Sequence, residues 1–197
     1  MAKLHFRYGA MGSSKTAQAL MMRFNYMEKG RKVWLIKPSI DTRDGLDIIQ
    51  SRIGLKAAAD VIHTNDDILK KYLERKEVRC APDVIIADEC QFFSPEHISQ
   101  LRHIVSYYDV PVICFGLRTD FQCKLFPGSK ALFELADEIE EIKSICKCGA
   151  KATVNARVDK NGDVVTNGRR IELGGNDKYV SMCWKCYNES VTNKSSL

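Results

Sequence analysis

Eight residues near the N-terminus combine small side chains with a lysine and a threonine, as phosphate-binding loops do. They are Gly9, Ala10, Met11, Gly12, Ser13, Ser14, Lys15 and Thr16. A short apolar run, Leu4–Tyr8, precedes them, and a helix-forming stretch, residues 16–29, follows. Small residues let backbone N–H groups surround a phosphate at the positive end of a helix. Lys15 would then contact the β- and γ-phosphates and the Thr16 hydroxyl would bind Mg²⁺, so the segment predicts a nucleoside triphosphate site.

One position of this loop departs from the usual pattern, because Ser14 stands where a second glycine is normal. Its side chain lies where the backbone approaches phosphate, and its hydroxyl would either add a hydrogen bond or weaken ATP binding. The alternative interpretation is a Gly/Ser-rich turn that merely precedes Lys15 and Thr16. The strand before the loop and the helix after it favour the nucleotide site.

Two acids directly follow the apolar run Val84–Ala87. Asp88 occupies the position from which a phosphate-binding fold supplies its second Mg²⁺ ligand, usually through water. Glu89 points elsewhere and is available as a general base. It would accept a proton from water in a triphosphatase, or from a substrate hydroxyl in a kinase. Two solvated acids at a strand end are the alternative.

Two close pairs of cysteines lie near the C-terminus, and their spacing is typical of zinc ligands. The pairs are Cys146 with Cys148, and Cys183 with Cys186. Four thiolates leave no open position on a tetrahedral Zn²⁺, so the metal is predicted to be structural and to hold together a module with too little core of its own. A zinc ribbon that grips nucleic acid is the rival interpretation. The remaining cysteines are predicted to be small buried hydrophobes: Cys80, Cys90, Cys114 and Cys123.

Length and composition limit the class of protein. The chain has 197 residues, 45% of them apolar, and a net charge of +5. This predicts one domain with a small appendage. No run approaches the roughly 20 apolar residues of a membrane span, and the N-terminus lacks the apolar region of a signal peptide, so a soluble cytoplasmic protein without a membrane partner is expected. Basic residues alternate with acids, which argues against a nucleic-acid partner.

The elements that would position these residues alternate in type along the first 142 residues. This predicts a phosphate-loop α/β domain whose mainly parallel sheet is flanked by helices. Predicted strands cover Leu4–Tyr8, 33–37, Val84–Ala87 and Val112–Gly116, with weaker ones at Asp60–Ile62 and 141–145. Predicted helices cover 16–29 with Gly30 as C-terminal cap, 65–75 with Asn65 as N-cap, and 95–108 with Ser94 as N-cap.

Three further segments differ in amino-acid composition from the alternating strands and helices. Residues 38–54 are polar and are predicted to be a mobile loop over one end of the sheet. Glycines, the Asn161-Gly162 turn and the cysteine pairs predict a small β-rich zinc-binding domain over residues 143–190. The polar residues 191–197 are predicted to be a disordered tail.

Aromatic residues and a glycine-rich segment suggest how a flat ligand would be held. Five phenylalanines surround the segment 116–120 and would form a stacking slot for a base, although core packing explains any single ring equally well: Phe92, Phe93, Phe115, Phe121 and Phe126. Residues 171–179 precede the second cysteine pair, and their glycines would allow close approach to a ligand. A plain hairpin turn is the alternative for that segment.

Taken in order, these motifs resemble the type II thymidine kinases, the cytosolic and bacterial class, over residues 3–187. The resemblance rests on the phosphate loop with Met11, Lys37-Pro38 with Asp41-Thr42-Arg43, Asp88-Glu89-Cys90-Gln91-Phe92-Phe93, Gly116-Leu117-Arg118-Thr119-Asp120-Phe121, and Gly174-Gly175-Asn176-Asp177-Lys178-Tyr179 between the cysteine pairs. It implies transfer of the ATP γ-phosphate to the 5′-hydroxyl of thymidine or deoxyuridine. Glu89 would be the base, and Lys15 would stabilise the transferring phosphoryl group.

The resemblance also implies the remaining site residues. ATP and Mg²⁺ would contact residues 9–16 with Arg43, Asp88 and Gln91, where Arg43 and Asp41 lie on a flexible loop that closes near the phosphates. The nucleoside would contact Met11, Leu117, Phe121, Phe126 and Tyr179, while a "lasso" loop reads the pyrimidine edge through backbone groups of Ile171, Glu172, Leu173 and Gly174. A homotetramer and feedback inhibition by thymidine triphosphate are further implications.

Two other hypotheses belong to different classes. One is a phosphate-loop ATPase coupled to nucleic acid through the zinc module, although a helicase motor generally needs two lobes and this chain has one. The other is a non-catalytic nucleotide sensor in which Ser14 has altered the loop.

Overall fold

The computed structural model describes residues 1–43, 45–170 and 178–194. Its strands are β1 (Leu4–Tyr8), β2 (Val33–Pro38), β3 (Ile48–Gln50), β4 (Lys56–Ala58), β5 (Asp60–Ile62), β6 (Val84–Ala87), β7 (Val112–Gly116), β8 (Glu138–Glu141), β9 (Val154–Val158), β10 (Val164–Val165) and β11 (Tyr179–Met182). Its helices are α1 (Lys15–Glu28), α2 (Ile68–Glu77), α3 (Pro95–Tyr108), α4 (Pro127–Leu135) and α5 (Trp184–Lys194). A short 3₁₀ turn covers Cys90–Phe92.

A six-stranded sheet in the order β5-β2-β6-β7-β1-β8 forms the centre, and every neighbouring pair is parallel. β6 and β7 are buried along their whole length, so their sequences are continuous apolar runs. α2, α3 and α4 pack on one face, where residues such as Ile36 and Val112 point. α1 and β3 cover the other face, where Leu35 of β2 and Ile86 of β6 point. The predicted parallel sheet flanked by helices is confirmed.

Local signals explain most element boundaries. Ser94 accepts a hydrogen bond from the backbone N–H of His97 (3.1 Å), and Pro95 begins α3 as predicted. Gly30, after the end of α1, has a φ of +70° and donates to the Met27 carbonyl. The predicted start of α2 was wrong: Asp67, rather than Asn65, is the N-cap and accepts from the N–H of Lys70 (2.9 Å).

Three elements differ from the sequence prediction. Residues 48–50 of the predicted loop form β3, which pairs antiparallel with β4, and Ile49 of β3 is buried against the main sheet. β8 lies at 138–141 rather than 141–145. α4, introduced by Pro127, was not predicted.

The C-terminal module is a three-stranded antiparallel sheet, β10-β9-β11, followed by α5. The Asn161-Gly162 turn joins β9 to β10 as predicted. α5 extends to Lys194, so the part of the predicted tail that the structure describes is helical. Among the described residues, none of the helices is long and apolar enough to cross a bilayer.

Candidate active site

A cavity of about 590 Å³ opens where β1, β6 and β7 end. In open parallel sheets, ligands bind at this carboxyl edge. The cavity brings together most of the residues that the sequence predicted to contact the phosphate donor and the acceptor. In chain order they are Met11, Gly12, Ser14, Lys15, Thr16, Arg43, Asp88, Glu89, Gln91, Leu117, Phe121, Phe126 and Tyr179. Gly9, Ala10 and Ser13 of the same loop are buried and do not line the cavity. Ile171, Glu172, Leu173 and Gly174 fall outside the described residues.

Lys15 lies inside the phosphate loop rather than on its surface. Its ammonium group donates to the carbonyls of Gly9 (3.0 Å) and Ala10 (2.8 Å) and to the Ser13 hydroxyl (3.2 Å). Burial lowers the pKa of Lys15 to about 8, although the carboxylates of Glu89 and Asp88 oppose this change. The loop therefore holds a desolvated cation that anionic phosphate oxygens would stabilise.

The backbone of the loop requires unusual conformations. Gly12 has a φ of +76°, and Ser14 has a φ of +63° and a ψ of 21°, which is the left-handed region. A Cβ atom on Gly9 would lie 2.5 Å from the Ile142 carbonyl, so only glycine fits there. Ser14 thus adopts the conformation for which glycine is usual, and its side chain makes no hydrogen bond that caps α1.

Asp88 is 3% exposed and lies at the end of β6. Burial and the neighbouring Glu89 charge raise its pKa to about 7, while hydrogen bonding from the Thr16 hydroxyl acts in the opposite direction. A hydroxyl and a carboxylate facing one cavity are ligands of the kind Mg²⁺ prefers, and a bound cation would restore the charged form of Asp88. The residues present therefore fit the cation.

Glu89 is held in place by two neighbours. Its φ of +50° is unusual for a residue with a side chain, and such conformations concentrate at functional sites. One carboxylate oxygen accepts from Arg43, and the other accepts from the Gln91 amide at 2.5 Å. Gln91 in turn accepts from the backbone N–H of Leu117 (2.9 Å). Gln91 therefore connects the acid to the segment that carries the aromatic residues.

Arg43 belongs to a chain of charges that continues into the protein. Its Nε donates to Asp41 (2.6 Å), and Asp41 lies 3.4 Å from the ammonium group of the fully buried Lys37. The Glu89 charge raises the pKa of Arg43 above its ordinary value. Lys37 also donates to the Ile48 carbonyl (2.8 Å), which anchors the segment between β2 and β3.

The aromatic wall of the cavity contains three of the five phenylalanines. Phe92 and Phe126 meet edge to face with centroids 5.5 Å apart, and Phe121 is buried beside them. Phe93 and Phe115 pack instead in the core on either face of the sheet, as the alternative interpretation expected.

Two arginines of the C-terminal module support this wall. The Arg157 guanidinium lies 3.7 Å from the Phe121 centroid and donates to the carbonyls of Arg169 and Asn167. Arg170 donates to Asp120 (2.7 Å) and lies 5.3 Å from the Phe126 centroid. The sequence did not indicate either residue, because both lie among other surface-type charges near the predicted zinc site.

The four paired cysteines meet in one cluster. Their sulfur atoms all lie within 4.8 Å of one another, and those of Cys148 and Cys183 are 3.6 Å apart. Because Zn–S bonds are about 2.3 Å long, the sulfurs of a tetrahedral zinc site lie about 3.8 Å apart. Backbone N–H groups of Cys148 and Cys183 lower the pKa of Cys146 to about 6, whereas the other thiols raise that of Cys186 to about 12. The donor set fits zinc.

Of the other cysteines, Cys90 and Cys114 are buried as predicted. The prediction was wrong for Cys80, which is exposed because it follows the polar end of α2. Cys123 is half-buried.

The C-terminal module contacts the phosphate loop directly, and its hydrogen bonds reach the backbone of Met11. The buried Asn155 on β9 accepts from the N–H of Met11 (2.7 Å) and donates to the Thr119 carbonyl (3.1 Å). On β11, the Ser181 hydroxyl donates to the Met11 carbonyl. The sequence missed both contacts, since the partners are more than 140 residues apart and neither side chain belongs to a motif.

Comparisons with known proteins agree with one another. A family model described as "Thymidine kinase" matches residues 2–187. Proteins named thymidine kinase from Ruegeria pomeroyi and Vibrio cholerae are 44% and 42% identical; each alignment covers 97% of this chain, with 96% and 99% of the respective relative. One from Agrobacterium fabrum is 42% identical over 96% of this chain and 98% of its own.

Proposed function

The chain belongs to the thymidine kinase family, and on that premise we propose that it transfers the γ-phosphate of ATP to the 5′-hydroxyl of thymidine or deoxyuridine. One observation carries the proposal. The phosphate loop, the acid Glu89 and the aromatic wall line the same cavity, so a phosphate donor and a flat acceptor would meet there. Such convergence of a nucleotide site with a base and a stacking surface suits phosphoryl transfer to a nucleoside.

Glu89 accepts the proton of the 5′-hydroxyl in this mechanism. Its carboxylate faces the cavity with Arg43 and Gln91 bound to it, and these contacts orient the oxygens before a substrate arrives. Removing the proton makes the hydroxyl oxygen a better nucleophile toward the γ-phosphorus. Lys15 and Arg43 then stabilise the charge on the transferring phosphoryl group.

Thr16 and Asp88 would hold the Mg²⁺ ion. The chemistry that the ion would supply is neutralisation of phosphate charge during transfer. Asp88 contributes most in its charged form, and burial without a cation disfavours that form.

The acceptor is proposed to stack on Phe121 and Phe126, with Met11, Leu117 and Tyr179 completing the pocket. Backbone groups of residues 171–174 read its pyrimidine edge.

Division into a nucleotide domain (1–142), a zinc-containing domain (143–190) and a tail (191–197) is part of the proposal. The proposal also includes a homotetramer, feedback inhibition by thymidine triphosphate and a cytoplasmic location. The eight cysteines, all of them free thiols, favour the cytoplasmic location.

Phosphate transfer to a panel of nucleosides tests the function. Purified protein with ATP and Mg²⁺ is expected to phosphorylate thymidine or deoxyuridine, and Glu89→Gln is expected to lower kcat about a hundredfold or more with ATP affinity retained. Glu77→Gln, an exposed acid at the end of α2, is the matched control. ATP hydrolysis stimulated by DNA without nucleoside phosphorylation would contradict the proposal, and full turnover in Glu89→Gln would remove Glu89 from its role.

A further inference from the structure

The turn between β3 and β4 brings an arginine to the rim of the phosphate loop. Arg52 lines the same cavity as Lys15 and Thr16. One of its terminal nitrogens lies 3.4 Å from the point that a Cβ atom on Gly12 would occupy. A guanidinium group from a different element therefore borders the space in which the triphosphate is proposed to bind.

The turn that carries Arg52 is internally hydrogen-bonded. The N–H of Ser51 donates to the Leu55 carbonyl (2.7 Å), the N–H of Leu55 donates to the Ser51 hydroxyl (3.0 Å), and the N–H of Gly54 donates to the Ser51 carbonyl (3.0 Å). Gly54 has a φ of +87°, which glycine adopts without strain. The turn therefore has a defined shape and does not depend on contacts of the Arg52 side chain.

The base of the hairpin is fixed to the main sheet. Ile49 is buried in the cluster that contains Ala19 and Leu20 of α1. Lys37 donates to the Ile48 carbonyl (2.8 Å). The hairpin is thus attached to the helix that follows the phosphate loop, which keeps Arg52 beside Gly12.

The charge of Arg52 is available to a ligand. In the part of the chain that the structure describes, none of the carboxylates forms an ion pair with it. Burial is the main reason that the pKa of Lys15 is low, and the positive charge of Arg52 adds to that lowering. Two cations that border one cavity and repel each other would both be stabilised by a polyanion between them. The planar guanidinium suits phosphate oxygens, which it can bind in pairs.

We propose that Arg52 is a further phosphate-binding residue, which contacts the triphosphate of the nucleotide donor from the β3–β4 hairpin while Lys15 contacts it from the loop. This rests on the proposed function only for the identity of the donor as ATP. It makes the hairpin part of the nucleotide site, and it gives a role to an exposed arginine that no motif of the sequence indicated.

Titration calorimetry with ATP, ADP and AMP tests this role. In Arg52→Gln, ATP is expected to bind about ten- to a hundredfold more weakly, because a charge-assisted contact is lost. The loss should be largest for ATP and smallest for AMP, since AMP does not reach the β- and γ-phosphate positions. Arg52→Lys should restore part of the affinity, as an ammonium group keeps the charge without the fork.

Controls separate this role from folding and from the proposed function. Arg79→Gln removes an exposed arginine at the end of α2 and is expected to bind all three nucleotides normally. An equal loss for ATP and AMP, or an Arg52→Gln affinity for ATP within twofold of the parent, would overturn the proposal. The binding readout requires no turnover, so failure to phosphorylate thymidine would contradict the function and leave the Arg52 result standing.

Discussion

Ser14 carries a backbone conformation that its side chain disfavours. Its φ of +63° lies in the left-handed region, where a residue with a Cβ atom costs about 1–2 kcal/mol relative to glycine. The side chain is exposed and caps no helix N–H. The serine at this position therefore affects the conformational energy of the backbone at Ser14. The neighbouring Lys15 keeps its contacts with the loop carbonyls.

Ser14→Gly is expected to stabilise the protein slightly. Relief of the left-handed strain would exceed the extra chain entropy of glycine in the unfolded state and leave a gain of up to about 1 kcal/mol. Thermal unfolding should show this as a rise in Tm of about 2–4 °C. Ser14→Ala is the control, because it removes the hydroxyl and keeps the Cβ atom. A Tm rise in Ser14→Ala equal to that in Ser14→Gly would show that the hydroxyl, rather than the backbone, was responsible.

At the level of elements, two strands of the C-terminal sheet hold the backbone of one residue of the phosphate loop, Met11. Asn155 on β9 binds the N–H of Met11 and the carbonyl of Thr119, and Ser181 on β11 binds the carbonyl of Met11. β9 therefore connects the segment after β1 with the segment after β7. A change in the position of this sheet would alter the phosphate-loop side and the aromatic side of the cavity together.

Asn155→Ala is expected to weaken ATP binding as well as the fold. The substitution leaves the partly buried N–H of Met11 and the buried carbonyl of Thr119 without their partner, which costs about 1–3 kcal/mol of unfolding free energy. Urea unfolding and ATP titration measure the two effects. Asn188→Ala, an exposed position on α5, is the matched control and should change neither. Lower stability with an unchanged ATP affinity would show that β9 does not position the phosphate loop.

Considered as a whole, the molecule joins a large parallel sheet to a small module that has little core of its own. The buried members of the small hydrophobic cluster of that module are Ala10, Cys146, Ala152 and Cys183, so two of the four belong to the four-cysteine cluster and one belongs to the phosphate loop. A metal at the four sulfurs would therefore stabilise the module and, through Met11, the nucleotide site.

Zinc removal is expected to disorder the module and reduce ATP affinity, with the main sheet retained. Elemental analysis should find one zinc per chain, and chelation should change the fluorescence of Trp184, which adjoins Cys183, more than the far-ultraviolet circular dichroism. Cys186→Ser should reproduce the effect, whereas Cys123→Ser, which removes a thiol outside the cluster, should not. Far less than one zinc per chain in protein purified without chelator would contradict the four-thiolate site.

Features that depend on neighbours in the chain were readable from the sequence. Three short motifs have a chemistry that follows from residue type and spacing: residues 9–16, the acids after β6 and the cysteine pairs. β6 and β7 were predicted because buried parallel strands are continuous apolar runs. The β3–β4 hairpin and α4 were missed, since three-residue strands and a nine-residue helix are shorter than the stretch of chain over which a hydrophobic period can be recognised.

Sequence alone therefore predicted the motifs on which the proposed chemistry depends: a phosphate loop, a carboxylate at a strand end and two pairs of cysteines. The tertiary structure decided which other residues support that chemistry. Arg52 borders the phosphate loop only because a hairpin packs on α1, and Asn155 reaches Met11 across 144 residues of chain. A polar side chain acquires such a role from the atoms that surround it in the folded molecule. Its own residue type and its neighbours in the sequence do not specify which atoms those are.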